Sequence, residues 1–329
     1  MKPNVVVLTC DAGYHPPALF VISELLRQKN RDFDIVLIRT DLDTVPPGLG
    51  PDGVMVIGVK QQLTALLSCR NDLRSQSAFA RLFIDRWLPA PYRRVLYLDC
   101  DIWIETEDLN GLFAIDMQNQ VLAAVRDSRQ VFHGGELSFI AHKSRIGMRP
   151  SSAYFNSGVM LIDRQRWAAD GIGEAAVAYL ARGGAVDSND QTVINAVVDG
   201  RWLELPPEWN WTYYASRRLS KELQPHIIHF VGSSKPWKDK RARYPAKFGH
   251  AMRDFYVSAG YPSYYQPSPL LMRLRRSASS ALQGLRDLVL DRRGRVLERY
   301  VHATRFAKLA DPVASVGTQH AQGEAARVA

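Results

Sequence analysis

The stretch Arg94–Glu105 reads RVLYLDCDIWIE. Val95, Leu96, Tyr97 and Leu98 follow one another without an alternating polar residue, and the run stops at Asp99 and Asp101. Such a run is the pattern of a strand covered on both faces, as in the middle of a parallel sheet. Carboxylates at its end are costly to bury without a partner. Residues two apart in an extended chain face the same way, so Asp99 and Asp101 are placed to converge on one cation. The carboxyl ends of parallel strands are also where open α/β sheets take their ligands. Oxygen donors of this kind favour Mg²⁺ or Mn²⁺, and such a cation in turn holds a phosphate-bearing substrate. An isolated Asp-x-Asp triplet more often marks a solvated turn; its place after a buried strand gives it weight.

Working outward, Val5–Thr9, Ile35–Ile38 and Val54–Val59 read as further strands. A helix carrying Leu19, Ile22, Leu25 and Leu26 starts at Pro16 and Pro17, where proline suits a first turn. Ser75 or Ser77 is placed to cap a helix through Phe79, Leu82, Phe83 and Trp87. Downstream, Val121–Val125 predicts a strand ending near Asp127, and residues 128–152 a polar loop. Val159–Ile162 predicts a strand, Arg164–Leu180 one helix, and Asp190–Val198 another with Asp190 and Gln191 at its N-terminus, where free backbone N–H groups suit polar ligand contacts. Trp202–Leu205 and Ile227–Val231 are late strands. Strands and helices alternating at these intervals predict a right-handed, mostly parallel α/β sheet. No Gly-x-Gly-x-x-Gly follows the first strand and no Gly-Lys-Ser/Thr loop occurs, which argues against dinucleotide enzymes and P-loop NTPases.

The 329 residues are 46% hydrophobic, enough for a large core. No apolar run reaches the roughly 18 residues of a spanning helix, and no signal peptide is evident in MKPNVVVLTCD. Cys10, Cys69 and Cys100 show neither metal-site spacing nor a disulfide framework, so a cytoplasmic location is expected. Between Leu271 and Ala310, nine Arg and one Lys stand against three acidic residues, so +7 of the chain's +9 lies there. The apolar positions 271, 274, 278, 281, 282, 285, 288 and 289 have helical spacing. Residues 1–262 are read as the catalytic domain, 263–310 as a basic amphipathic helical appendage and 311–329 as a disordered tail. An Arg-rich amphipathic segment at 268–310 suits peripheral attachment to an anionic inner membrane face. Nucleic acid is not expected, because interleaved stacking aromatics are missing.

His229 ends a strand and is followed by Gly232 and Lys235. Singly, each is more often structural or solvated. Together, the glycine admits a phosphate close to the backbone, the lysine neutralises it, and an imidazole completes a shell begun by two carboxylates.

With these residues in hand the chain resembles the retaining sugar-nucleotide glycosyltransferases of family 8, which include glycogenin and bacterial lipopolysaccharide galactosyl- and glucosyltransferases. The resemblance covers most of residues 3–250 through six ordered blocks: VVVLTCDAGY, FARLFIDRWLP, VLYLDCDIWI, YFNSGVMLID, SNDQTVINAV and IIHFVGSSKPW. It implies a GT-A-type, Rossmann-like fold. It further implies Asp99, Asp101 and His229 as ligands of Mn²⁺ (or Mg²⁺), with Gly232 and Lys235 at the UDP diphosphate. Thr9, Asp11 and Tyr14 fall in the uridine block, and Arg81 lies against the donor. Asn156, Asp190 and Gln191 match positions around the transferred sugar, and Asp127 falls near the donor–acceptor junction. Gly13 stands where many relatives have Asn, and Thr192 where bacterial relatives often carry a second Asp.

The implied reaction moves galactose or glucose from a UDP-sugar to a glycan or lipid-linked acceptor of surface-polysaccharide synthesis, with retention. Metal and Lys235 would stabilise departing UDP. Gln191 would support the cationic sugar in a front-face mechanism, with a covalent intermediate through Asp190 as the rival. Two other classes compete with this reading. A non-catalytic sugar-nucleotide- or glycan-binding relative would be free to lose the Asp99/Asp101/His229/Lys235 set. A nucleotidyltransferase predicts a Gly- and Arg-rich loop that Cys10–Tyr14 does not provide.

Overall fold

The computed structural model describes residues 1–73, 75–212, 224–240, 244–267, 269, 296, 298–301, 303 and 304. Its strands are β1 (Asn4–Cys10), β2 (Asp34–Arg39), β3 (Val54–Gly58), β4 (Arg94–Leu98), β5 (Ile102–Ile104), β6 (Leu122–Arg126), β7 (Phe155–Asp163), β8 (Trp202–Glu204), β9 (Trp211–Thr212) and β10 (Ile227–His229). The α-helices are α1 (His15–Leu26), α2 (Lys60–Leu66), α3 (Ile84–Trp87), α4 (Asn110–Phe113), α5 (Ser128–His133), α6 (Leu137–Arg145), α7 (Arg164–Ala169), α8 (Ile172–Ala181), α9 (Asp190–Val198) and α10 (Ala246–Ser258).

Seven strands form one sheet in the order β3-β2-β1-β4-β7-β6-β8. The first four are mutually parallel, β7 runs antiparallel to both β4 and β6, and β8 is parallel to β6. The alternation along β1 and β4 divides the core in two. Val6, Leu8, Leu96 and Leu98 face a layer with α1 and α10, while Val5, Val7, Val95 and Tyr97 face one with α8 and α9. Both faces are covered, which is why β4 reads as an uninterrupted apolar run.

The run breaks where the carboxylates begin. Asp99, Cys100 and Asp101 form a bend, and the chain re-emerges as β5 in a second sheet, β5-β10-β9. β10 pairs antiparallel with β5, setting His229 opposite Ile102, and Phe230 N–H donates to the Asp101 carbonyl at 2.9 Å. Asp99 N–H in turn donates to the Gly158 carbonyl at 2.8 Å.

Three local expectations need correction. Residues 128–152 are not a bare loop: Asp127 caps α5, and α6 follows after Gly134 and Gly135. The segment from Ser77 to Phe83 is a 3-10 helix that gives way to α3, not one α-helix. The helix expected over 164–180 is divided into α7 and α8 at Gly171, whose φ of +59° is readily reached without a side chain.

The tail expected at 311–329 and most of the basic helices expected across 271–309 lie outside the described residues. Residues 298–301 are helical and pack on the domain. Val301 is buried beside Trp211, Tyr300 Oη bonds Glu204 at 2.9 Å, and Arg126 lies 5.5 Å from the Tyr300 ring centroid. Among the described residues, no helix is long and apolar enough to cross a membrane.

Candidate active site

The parallel strands β1 and β4 end at a cleft of about 250 Å³ lined by Thr9, Asp11, Tyr14, Ser75, Ser77, Arg81, Asp99, Asp101 and Asp190 among others. Asp99, Asp101 and His229 each turn a ligand atom to one point, all within 4.8 Å of one another. His229 Nε2 is 3.2 Å from Asp101 Oδ1 and 3.6 Å from Asp99 Oδ2. The bend rather than an extended i, i+2 pair makes the carboxylates converge. The close packing also explains Gly158: a Cβ there would stand 2.2 Å from His229 Cε1 and 2.8 Å from Asp99 Oδ2.

Cations flank the carboxylates. Lys235 Nζ donates to Asp101 Oδ2 and, at 2.6 Å, to the Phe230 carbonyl. Burial alone would raise the Asp101 carboxyl, but the Lys235 ammonium and the His229 imidazole outweigh it and hold the group well below the usual range. Arg81 is buried, and its guanidinium lies 4.2 Å from the Tyr97 ring centroid. It donates to Asp99 Oδ1 at 2.7 Å and to the Ser157 carbonyl at 2.9 Å, and pairs with Asp190 Oδ2 at 2.9 Å. Gly232 has φ +91° with open space where a Cβ would project, so backbone handedness explains the glycine.

At the β1 end of the cleft, Asp11 Oδ1 accepts from Tyr14 N–H at 3.1 Å and Oδ2 from Ser77 Oγ at 3.0 Å. Thr9 Oγ1 lies 3.0 Å from Tyr97 Oη, which donates to Asp99 Oδ1 at 3.2 Å. Tyr14 is 41% exposed, its ring edge-on to Trp237.

The opposite wall comes from the start of β7 and the first turn of α9. Pairing between β6 and β7 slips after Ala124, from Met160 to Asn156, and such a bulge re-aims side chains. Asn156 Nδ2 donates to Asp127 Oδ2 at 3.3 Å and to Gln191 Oε1 at 3.2 Å, and Gln191 Nε2 donates to Asp127 Oδ2 at 3.1 Å. Asn189, at φ +51°, turns the chain into α9 and presents Asp190 and Gln191. Burial raises the Asp190 carboxyl to about 6, against the pull of Arg81.

Of the residues singled out from sequence, Thr9, Asp11, Tyr14, Arg81, Asp99, Asp101 and Asp190 line this cleft, His229 and Lys235 contact Asp101, and Asp127, Asn156 and Gln191 bond one another beside it. Two partners were not singled out. Gly158 stood unremarked inside the YFNSG block, and Asn210, within Pro206-Pro207-Glu208-Trp209-Asn210-Trp211, carries no motif of its own. Asn210 joins Asn156 to His229 by side-chain hydrogen bonds.

The chain is similar to glycosyltransferase GlyA of Streptococcus pneumoniae serotype 4, with 31% identity over 253 residues, 74% of this chain and 33% of that protein. Lipopolysaccharide 1,2-glucosyltransferase of Escherichia coli K12 is 29% identical over 183 residues, 52% of each chain. The chain spans between 25% and 59% of the length of the first curated relatives it matches. Galactosyltransferase LgtC, solved with donor and acceptor sugar analogs, superposes with a TM-score of 0.58 over 82% of this chain and 99% of that one at 19% identity, a likeness of GT-A-type fold. A sequence model described as glycosyl transferase family 8 matches residues 52–241, more than half of the chain, and the protein belongs to that family.

Proposed function

We propose that the protein is a retaining hexosyltransferase that moves galactose or glucose from a UDP-sugar to a glycan or lipid-linked acceptor of lipopolysaccharide or surface-polysaccharide synthesis. The observation that carries the reading is the convergence of Asp99, Asp101 and His229, with Lys235 on Asp101, at the mouth of the cleft holding Asp11 and Tyr14. Two hard carboxylate oxygens and one imidazole nitrogen within a few ångströms are a donor set suited to Mn²⁺ or Mg²⁺. A cation held there would act as Lewis acid on the departing diphosphate.

The chain's own residues do the rest. Lys235 supplies a second positive charge against departing UDP, and the backbone at Gly232 lets the phosphate approach. Tyr14 offers a ring face to uracil. Arg81 draws Asp190 and Asp99 together and fixes the cleft floor. Asp190, committed to Arg81 and Ser157, is an anchor rather than a free nucleophile. That favours front-face departure, in which a leaving phosphate oxygen takes the acceptor's proton while Gln191 supports the positive sugar. Asp127, at the first turn of α5, stands where the acceptor enters. Attachment to an anionic membrane face through 268–310 belongs to the same reading, resting on the charge of that segment.

UDP release from a panel of UDP-sugars, with and without Mn²⁺ and beside Asp101→Ala, tests the proposal. Mn²⁺-dependent release from one donor, lost in the variant, supports it. UDP binding without turnover of any donor or acceptor favours a non-catalytic binding protein, and no UDP binding defeats the reading.

A further inference from the structure

Asn210 ends a 3-10 turn (Pro207–Asn210) and is 3% exposed, wedged between two side chains of the site. Its Nδ2 is 2.8 Å from Asn156 Oδ1, and its Oδ1 is 3.0 Å from His229 Nδ1. Which end of each amide faces which neighbour follows from two backbone N–H groups, because a backbone N–H only donates. Gly158 N–H lies 3.0 Å from one amide atom of Asn156, so that atom is the oxygen. The Asn156 NH₂ then faces Asp127 and Gln191. Ser157 N–H, 3.2 Å from one amide atom of Gln191, identifies that oxygen in the same way and leaves the Gln191 NH₂ on Asp127.

Asn156 Oδ1 also faces Asn210, so Asn210 must present its NH₂ there and its carbonyl to His229. His229 Nδ1 therefore carries the proton. That leaves Nε2, 3.2 Å from Asp101 Oδ1 and 3.6 Å from Asp99 Oδ2, as the ring nitrogen that can face a cation at this point. A divalent cation held there would take the Nε2 lone pair while Asn210 keeps Nδ1–H.

We infer that Asn210 is a positioning residue for both walls of the cleft. It holds His229 in the tautomer that offers Nε2 to a divalent cation, and through Asn156 it holds Gln191 beside the sugar. The inference rests on the metal reading above, and the experiment separates the two. Mn²⁺ binding in the presence of UDP is followed by the electron paramagnetic resonance of free Mn²⁺, for the wild type, Asn210→Ala and Asn210→Asp. Turnover of the UDP-hexose hydrolysed by the wild type is measured alongside.

A carboxylate at 210 still accepts from Nδ1–H, as in carboxylate–histidine–metal arrangements, but donates nothing to Asn156. Asn210→Ala is expected to weaken Mn²⁺ binding by about 10–100-fold and to lower kcat. Asn210→Asp is expected to keep Mn²⁺ affinity near the wild type while lowering kcat with little change in KM, a split that a purely structural role does not produce. Equal Mn²⁺ affinity in Asn210→Ala and the wild type overturns the inference, as does an Asn210→Asp protein that loses Mn²⁺ as fully as Asn210→Ala. If the wild type binds no Mn²⁺, the metal reading itself falls. If Asn210→Ala does not fold, the ¹⁵N signals of His229 in the wild-type complex with Mg²⁺ and UDP decide: a proton on Nδ1 supports the inference, and one on Nε2 overturns it.

Discussion

The two walls of the cleft are made of different chemistry. The wall at β1, β4 and β10 is charged, with Asp99, Asp101, Lys235, Arg81 and His229 in mutual contact. The wall at β7 and α9 is built mostly of amides, with Asn156, Gln191, Asn210 and Ser157 joined by hydrogen bonds beside two carboxylates, Asp127 and the Arg81-paired Asp190. In the proposed reaction the charged wall would face a diphosphate that develops negative charge, and preorganised charge stabilises such a leaving group strongly. A sugar passing through a short-lived cation needs direction. Amides provide it by bonding at fixed angles without attracting a competing counter-ion.

Breaking the charged wall should have the largest effect. Asp101→Ala is expected to reduce Mn²⁺-dependent UDP release to the level seen without metal, a loss on the order of 10³-fold or more. A variant that retains metal-dependent turnover would show that the two carboxylates are not a joint ligand pair. Next is Arg81→Leu, which leaves Asp190 buried without its cation. Removing one partner of a buried ion pair costs about 3–5 kcal/mol. Urea unfolding should show that loss, and a change below about 1 kcal/mol would mean that Arg81 behaves as a surface charge.

The amide wall is probed by Gln191→Ala, expected to lower turnover about 10²-fold while leaving Mn²⁺ affinity unchanged. If metal affinity falls in parallel, the walls are not separable. The smallest effect lies beneath the charged wall, where His15 Nδ1 is 3.3 Å from Arg39 Nη1. Burial, then the Arg39 charge, lowers His15 to about 4 from 6.5. The unfolded chain therefore binds a proton that the folded chain refuses between those values. The associated stability, about 2 kcal/mol, is complete above pH 6.5 and is lost as pH falls toward 4. His15→Gln should remove that part of the slope in urea unfolding measured from pH 7 to pH 4.5.

The parallel half of the sheet was legible because β1, β2 and β4 are unbroken apolar runs, and the clustered Asp99, Asp101 and His229 because they stand at or just past the ends of apolar runs. Three kinds of feature were hidden. The pairing of β5 with β10 joins three-residue segments more than a hundred positions apart, and neither segment announces its partner. The helices α5 and α6 bury few apolar side chains, Phe139 among them, and Gly134-Gly135 between them reads as loop. Asn210 makes its contacts only in three dimensions. A buried amide leaves no period in a sequence, whereas a buried carboxylate next to a strand stands out against its neighbours.

The bend at Asp99–Asp101 has a mechanical side. One continuous segment of chain belongs to the large sheet before the bend and to the small sheet after it. The three converging side chains straddle that seam, two from the bend and one from β10. An ion gripped there works as a rivet, fastening the small sheet to the large one at the same moment that it readies the cleft. Amide protons of Ile227–His229 should therefore exchange with solvent more slowly once Mn²⁺ and UDP are bound, while those of β1, already enclosed between β2 and β4, keep their rate.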